Sequence, residues 1–341
     1  MLENTDYADY LQADGNLEIV ELKRICKVKL ATEIKHMMLQ ATQPLLGFFE
    51  RILHSYQIDN VVGLIEGVKN GQKSDILLKG ADPLGYFPDL KNTQVAEGLD
   101  YTQLYQEVLI DHPIGVYFRK FLDQELKPSH EAKDARSIMS QMQDFKPEKT
   151  KNLLKKIWFT EFYNFCMENL PGDTSRAMMD DLLKFESDCM TLQTIYNTLD
   201  IQALSDARGK TDRDKYICKL GYLYPEKSKD LSDADTFDKL KASVRGFEYE
   251  HMLNQISGGA EFNAAGKSID DVMFTAKSRR YSMAFENGFH YAAFYAYIKL
   301  REMEIRNVVW LAELVSIGVP RQMAGWNKYV VPFQYHLNEN N

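Results

Sequence analysis

Two stretches of this chain that lie 247 residues apart spell nearly the same helix. Residues 58–66 read IDNVVGLIE and residues 305–313 read IRNVVWLAE, so six of nine positions coincide. Ile58, Asn60, Val61, Val62, Leu64 and Glu66 return as Ile305, Asn307, Val308, Val309, Leu311 and Glu313. Upstream, Leu53 returns as Leu300 and Phe48 stands opposite Tyr295. In each copy the apolar residues fall at i, i+3, i+4 and i+7 (Ile58, Val61, Val62, Ile65; Ile305, Val308, Val309, Ala312), which is one buried helix stripe. Any two buried helices share Val and Leu. A shared asparagine is less ordinary, because its side chain competes for backbone hydrogen bonds and weakens a helix interior. Asn60 and Asn307 are therefore expected to be buried anchors to a neighbouring helix or turn. Glu66, Arg306, Trp310 and Glu313 are the candidates for contacts between helices or with another subunit. A looser echo at 184–197, KFESDCMTLQTIYN, sets Asp188 opposite Asp59. Similarity at such spacing predicts duplicated helical modules rather than a short-period solenoid.

The rest of the chain supports an all-α fold. Apolar positions recur at three and four residues from Leu17 to Thr42, and a second long helix is expected over Phe48–Val68, closed by Lys69-Asn70-Gly71. Further helices are expected at Lys151–Leu170 and at Thr174–Leu199, the latter with Thr174 as N-cap. Short helical pieces follow to about Lys241, and Ser268 with Asp271 predicts the cap of another helix. From Phe289 to Ser316 there is no Gly or Pro, which predicts one helix ~40 Å long at 1.5 Å per residue. With 19 Gly and 10 Pro in 341 residues, the chain has too few turn formers for an all-β fold. Residues 257–268, SGGAEFNAAGKS, read as a loop, and the polar, Pro-bounded stretch 127–147 reads as an insertion.

Charge narrows the function. A net charge of −8 repels phosphate backbones and anionic lipid, so nucleic-acid binding is disfavoured. The N-terminal stretch MLENTDYADYLQADGN has neither the apolar core of a secretory signal nor the arginines of a transit peptide. The apolar run Val308–Val319 is interrupted by Glu313 and is too short to span a bilayer. Cys26, Cys166, Cys189 and Cys218 are scattered, with no CxxC pair, and read as reduced buried thiols.

Signals for catalysis are weak. Glu33/His36 and Glu248/His251 have the Glu-x-x-His spacing that places both side chains on one helix face, as di-iron bundles require, but two further convergent glutamates are needed. There is no GxSxG, GxGxxG or Walker-type loop, and Gly266-Lys267-Ser268 lacks the glycine upstream that a phosphate loop uses. Trp158, Phe159, Phe162, Tyr163 and Phe165 read as core. No catalytic residue, cofactor or metal is assigned.

Six ordered blocks carry a family resemblance: SYQIDNVVGLIEG, DPLGYF, FYNFCMENLPGDTSRAMMDDLLKFESD, KLGYLYPE, FHYAAFYAYIKLREMEIRNVVWLAEL and NKYVVPF. Together they resemble subunit d of the vacuolar-type (V-type) proton ATPase, a family related to the central-stalk C subunit of archaeal-type ATPases. The resemblance runs from Thr5 to Phe333. It implies a single all-helical, pseudo-three-fold, funnel-like body, with repeats near 17–126, 148–245 and 247–333 and a tail at 334–341. It also implies a non-catalytic subunit of a hetero-oligomeric rotary motor. That subunit is seated on the cytoplasmic face of the proteolipid ring of vacuolar or endomembranes, links the ring to the central stalk, and meets the membrane only through partner subunits. Against the family pattern the first module is expected to be incomplete, and the basic run Lys277-Ser278-Arg279-Arg280 replaces residues that are usually acidic. These departures leave open an alternative: a subunit d-like paralogue reused as a scaffold of another membrane ATPase, such as a mitochondrial ATP synthase.

Overall fold

A computed structural model describes residues 5–10, 17–90, 109, 111–125, 147–199, 213–256, 268–318 and 330. Every extended element among them is helical: α1 (Ile19–Gln40), α2 (Leu45–Lys69), α3 (Ser74–Gly80), α4 (Gly115–Glu125), α5 (Pro147–Asn169), α6 (Asp173–Thr198), α7 (Ser228–Asp233), α8 (Phe237–Ser243), α9 (Glu248–Asn254), α10 (Ile269–Glu286) and α11 (Ala292–Ser316). The all-α reading therefore holds. The stretch expected to be an insertion, except for its last residue, the loop at 257–267 and the tail at 334–341 lie outside the described residues.

The chain divides into two compact units, one formed by residues 1–12 and 24–169, the other by residues 13–23 and 170–341. In the first unit α2 is central and packs along α5, with α4 laid on α5 and α3 on α2. Phe48, Phe49, Ile52, Ile58, Val61 and Val62 of α2 are all at most 2% exposed, so this helix is buried on more than one face. Against it α5 sets the ring of Trp158, stacked on Phe162 at 5.6 Å, while the indole N–H donates to the Arg51 carbonyl at 2.7 Å. Lys155 then donates to the Ser55 carbonyl, the Ser55 hydroxyl and the Asp59 carboxylate, each at 2.7 Å, fixing the sliding register of the two helices. Of the aromatic cluster read as core, Trp158, Phe159 and Phe162 are buried, while Tyr163 and Phe165 are only half-buried.

In the second unit α10 and α11 form a hairpin, and α6 packs on both and on α8. The core joins Phe185, Leu192 and Ile195 of α6 to Leu240, Tyr249, Leu253, Val272 and Met273. Glu186, 8% exposed, accepts from the hydroxyls of Tyr281 (2.6 Å) and Tyr295 (2.8 Å), so one carboxylate ties α6 to both arms of the hairpin. Arg306 pairs with Asp271 at 3.2 Å and lies over the Phe274 ring, bracing the same hairpin.

Helix ends follow local chemistry, with two corrections to the sequence reading. Ser268 caps α10 as expected, accepting from the Asp271 amide at 3.1 Å. The N-cap of α6 is Gly172 at φ +78°, not Thr174: the turn needs a left-handed residue, which glycine adopts without a Cβ penalty. The last helix begins at Ala292 rather than Phe289, because Gly288 (φ +53°) and Phe289 (φ +51°) turn the chain between α10 and α11. Its buried stripe is also shorter than α2's. Ile305 and Val308 are buried, but Val309 and Ala312 are only half-buried, whereas Ile58, Val61, Val62 and Ile65 are all buried.

Candidate functional site: two helix-to-turn clamps

Asn60 is buried in α2 and uses both ends of its amide on one residue. Its Nδ2 donates to the Asp82 carbonyl at 2.9 Å, and its Oδ1 accepts from the Asp82 N–H at 2.8 Å. That residue opens the turn Asp82-Pro83-Leu84-Gly85, whose Asp82 carboxylate accepts from the Leu84 amide at 3.1 Å and also pairs with Lys27 of α1. The turn lies so close to α2 that a Cβ on Gly85 would stand 2.3 Å from the Tyr56 carbonyl oxygen. Only glycine permits that approach, so Asn60 and Gly85 are two halves of one joint. Leu84 and Phe87 seal it from water, at 3% and 4% exposed.

The second unit contains a matching joint that sequence reasoning did not single out. Asp188, 2% exposed on α6, accepts from the Tyr222 amide (2.7 Å), the Leu223 amide (3.3 Å) and the Tyr249 hydroxyl (2.8 Å). A Cβ on Gly221 would fall 1.8 Å from the Asp188 carboxylate oxygen. Burial outweighs these three hydrogen bonds and pushes the Asp188 carboxyl up to about 6. The signal was present in the chain: Leu84-Gly85-Tyr86 and Leu220-Gly221-Tyr222 are the same tripeptide, each followed closely by proline. The stretch 184–197 had been set with Asp188 opposite Asp59, but the hydrogen bonds give Asp188 a different counterpart. Asp188 corresponds in role to Asn60, while Asp59 is taken by Lys155 and Lys151 of α5.

Helix phase relates the two joints and adds Asn307. Asn60 lies sixteen residues beyond the N-cap Pro44, Asp188 sixteen beyond Gly172, and Asn307 sixteen beyond Tyr291, on helices of 25, 26 and 25 residues. Asn307 is 5% exposed. The other residues singled out from sequence scatter. Glu66 is exposed, Glu313 and Trp310 are half-exposed, and Arg306 is spent on Asp271 and Phe274 within its own unit.

Nothing in either unit assembles a reactive centre from the predicted pairs. Glu33 is engaged by Lys29 and Glu248 by Arg280, so neither glutamate is left for a shared metal with its histidine. Among the described residues no group of three or more His, Cys, Asp or Glu side chains converges as metal ligands do. All four cysteines are free and buried, and burial pushes the Cys189 thiol up to about 12, which leaves it protonated and unreactive. A polar cavity of about 700 Å³ in the first unit is lined by Arg51, His54, Tyr117 and Glu161. There the His54 Nδ1 is 2.9 Å from the Tyr117 hydroxyl, and burial, with help from Arg51 and His112, lowers His54 to about 4. A neutral histidine so bound to a buried tyrosine is a packing element. No helix among the described residues is long and apolar enough to cross a membrane.

Comparison with known proteins gives one consistent answer. A family model described as ATP synthase (C/AC39) subunit matches residues 1–325. A protein named "V-type proton ATPase subunit d" from Dictyostelium discoideum is 33% identical over 331 residues, covering 97% of this chain and 84% of that protein. A "Probable V-type proton ATPase subunit d" from Oryza sativa subsp. japonica is 32% identical over 317 residues, covering 92% and 82%. More distantly, the C subunit of an A-type ATP synthase from Thermococcus onnurineus is 23% identical over 236 residues, covering 62% of each chain.

Proposed function

The chain belongs to the ATP synthase (C/AC39) subunit family, and from that premise we propose that it is the d-type, non-catalytic coupling subunit of a V-type proton-pumping ATPase. The observation that carries the proposal is the length of the match: relatives bearing the subunit d name align with more than nine-tenths of this chain at about one residue in three. In this role the protein sits on the cytoplasmic face of a vacuolar or related endomembrane. It is seated on the proteolipid ring, receives the central stalk, and passes rotation between them without performing chemistry of its own. Reuse in a mitochondrial ATP synthase is not favoured, since these relatives are named for the V-type enzyme.

The physical design suits transmission of torque. A rotor adaptor must not absorb twist as internal strain, so its helices need lateral fixation as well as apolar contact. The Asn60 and Asp188 joints supply this by bonding a long helix to a turn through two or three oriented hydrogen bonds each. Glu186 and Lys155 add fixed polar links between helices that apolar packing alone would let slide. The common sixteen-residue phase of Asn60, Asp188 and Asn307 supports reading the chain as three copies of one helical-hairpin module.

Depletion and native purification test the proposal. Membranes lacking this chain are expected to lose ATP-driven proton uptake, and the tagged chain is expected to co-purify with V-type ring and catalytic subunits. Co-purification with another ATPase in place of these, or fixation to the static peripheral stalk, would overturn the coupling role.

A further inference from the structure

The turn that joins α10 to α11 sets two neighbouring side chains against their solvent preferences. Phe289 is wholly exposed and holds φ at +51°, a left-handed conformation that disfavours a bulky side chain. His290 beside it is only 7% exposed, and neither of its ring nitrogens has a hydrogen-bond partner among the described residues. A buried imidazole without partners forfeits its hydration, and an exposed phenyl ring forfeits apolar burial. The hydrocarbon ring is in water and the polar ring is out of it.

The backbone of this pair is held at both ends and loose in the middle. The Gly288 amide donates to the Phe285 carbonyl at 3.2 Å, and the Tyr291 amide donates to the Ser175 hydroxyl of α6 at 3.2 Å. Between these fixed points the amides of Phe289 and His290 donate to nothing among the described residues, so reorienting them breaks no bond of theirs. Gly288, at φ +53°, is a residue that accepts either sign of φ. A return of Phe289 to negative φ would relieve its strain and, over so short a span, exchange which of the two side chains faces the core.

A proton on His290 would decide between the two arrangements, because nothing stands ready to receive an imidazolium in the buried one. The charged residues closest in sequence to the turn, on the three elements that meet there, are Glu286 of α10, Lys299 of α11, and Asp173 and Arg176 of α6, which pair with each other. None of them shifts His290: burial lowers its pKa below 6.5, opposed only by its own backbone.

We propose that the Gly288–Tyr291 turn is a two-state switch that holds His290 in and Phe289 out while the imidazole is neutral, and exchanges the two side chains when it is protonated. The aromatic ring at the tip of the α10–α11 hairpin is then displayed near neutral pH and withdrawn in acid. A neighbouring chain that grips the displayed ring would be released as the surrounding solution acidifies. An exposed imidazole takes the proton that the buried one refuses, so the ratio of exchanged to resting turns should rise about tenfold from pH 7.5 to pH 5.5. The switch depends on this turn alone and not on the coupling role proposed above.

The test places 4-fluorophenylalanine, nearly the same size as the natural residue, at position 289 of the full chain. Fluorine NMR then reads how far its resonance moves between H2O and D2O, which measures contact of the ring with solvent. A full solvent shift is expected at pH 7.5 and a smaller one at pH 5.5. With His290→Gln the pH response should vanish, and with His290→Lys the ring should be withdrawn at both pH values. A solvent shift that does not change with pH overturns the proposal, as does the same response in the His290→Gln chain or a fully exposed ring in the His290→Lys chain. Amide exchange of α10 and α11 is followed in parallel. Protection should persist at pH 5.5, and its general loss would show acid unfolding in place of a switch.

Discussion

Asn60 in the first unit and Asp188 in the second each hold a Leu-Gly-Tyr turn against a long helix, but one does so with a neutral amide and the other with a carboxylate. The amide pairs with both polar groups of a single residue, Asp82, donating and accepting. The carboxylate can only accept, so its turn offers two backbone N–H groups, and the Tyr249 hydroxyl of α9 adds a third donor. Each turn is matched to its helix residue by donor and acceptor count. The Asn60 amide itself does not titrate. The charged joint carries the cost of a buried anion, which raises its pKa toward 6. The same architectural task therefore tolerates two chemistries, provided the glycine opposite each one stays small.

That comparison is most sharply broken at the glycines. Gly85→Ala and Gly221→Ala are each expected to destabilise their own unit by ~3 kcal/mol or more, since a Cβ has no room in either place. The obstacles differ: the immovable Tyr56 backbone at 2.3 Å, ahead of the Asn60 amide at 2.6 Å, for Gly85, and the Asp188 side chain alone for Gly221. Adding Asp188→Ala should therefore recover part of the Gly221→Ala loss, whereas adding Asn60→Ala should deepen the loss from Gly85→Ala. Urea unfolding of the four single and two double variants gives the coupling energies. Equal couplings of the same sign would end the distinction.

Acid should change the contributions of Asp188 and His54 in opposite directions, with His290 of the second unit, lowered by burial, opposing Asp188 there. The folded-state pKa of Asp188 lies above its unfolded value of about 3.8, so the native state binds the extra proton more tightly. The second unit gains stability as pH falls from about 6 toward 4, by on the order of 1–3 kcal/mol. His54 in the first unit is lowered from 6.5 to about 4, so the unfolded state binds the proton more tightly and stability is lost over much the same window. Amide exchange followed peptide by peptide between pH 7 and pH 5 should show α6 protection rising relative to α2. Asp188→Asn should remove the rise. Parallel trends in both units would contradict the assignment.

The smallest effects are expected at Glu66 and Glu313, the repeated acids outside both joints. As isolated protein, Glu66→Gln and Glu313→Gln should shift stability by less than ~0.5 kcal/mol, because neither carboxylate has an ion pair among the described residues. Thermal unfolding of the pure chain checks this. A larger shift would mean that the repeat preserves these acids for its own packing rather than for binding a neighbour in the complex.

What could be read from the chain depended on whether the signal was local. Helix stripes such as Ile58, Val61, Val62 and Ile65 are periodic within one element, so they announced themselves. The buried asparagines were legible because a polar residue at a core phase needs a partner. Asp188 was harder, since aligning it to Asp59 by identity concealed that its burial phase is that of Asn60. The Glu-x-x-His pairs suggested chemistry only while the arginine and lysine that engage their glutamates were unknown. Phe289 read as the first residue of a helix because propensity is averaged over neighbours, whereas its backbone angle was set by the turn it must make with Gly288.

The sequence by itself determined that this protein is all-helical, that one of its helices recurs, and to which family it belongs, because periodicity, identity and block order are properties of the linear chain. Only tertiary structure decided which polar residues became joints and which were left on the surface. A hydrogen bond across 22 residues (Asn60 to Asp82) or 34 (Asp188 to Tyr222) depends on where two backbones meet. Room for a glycine alone is a property of that meeting, not of either segment.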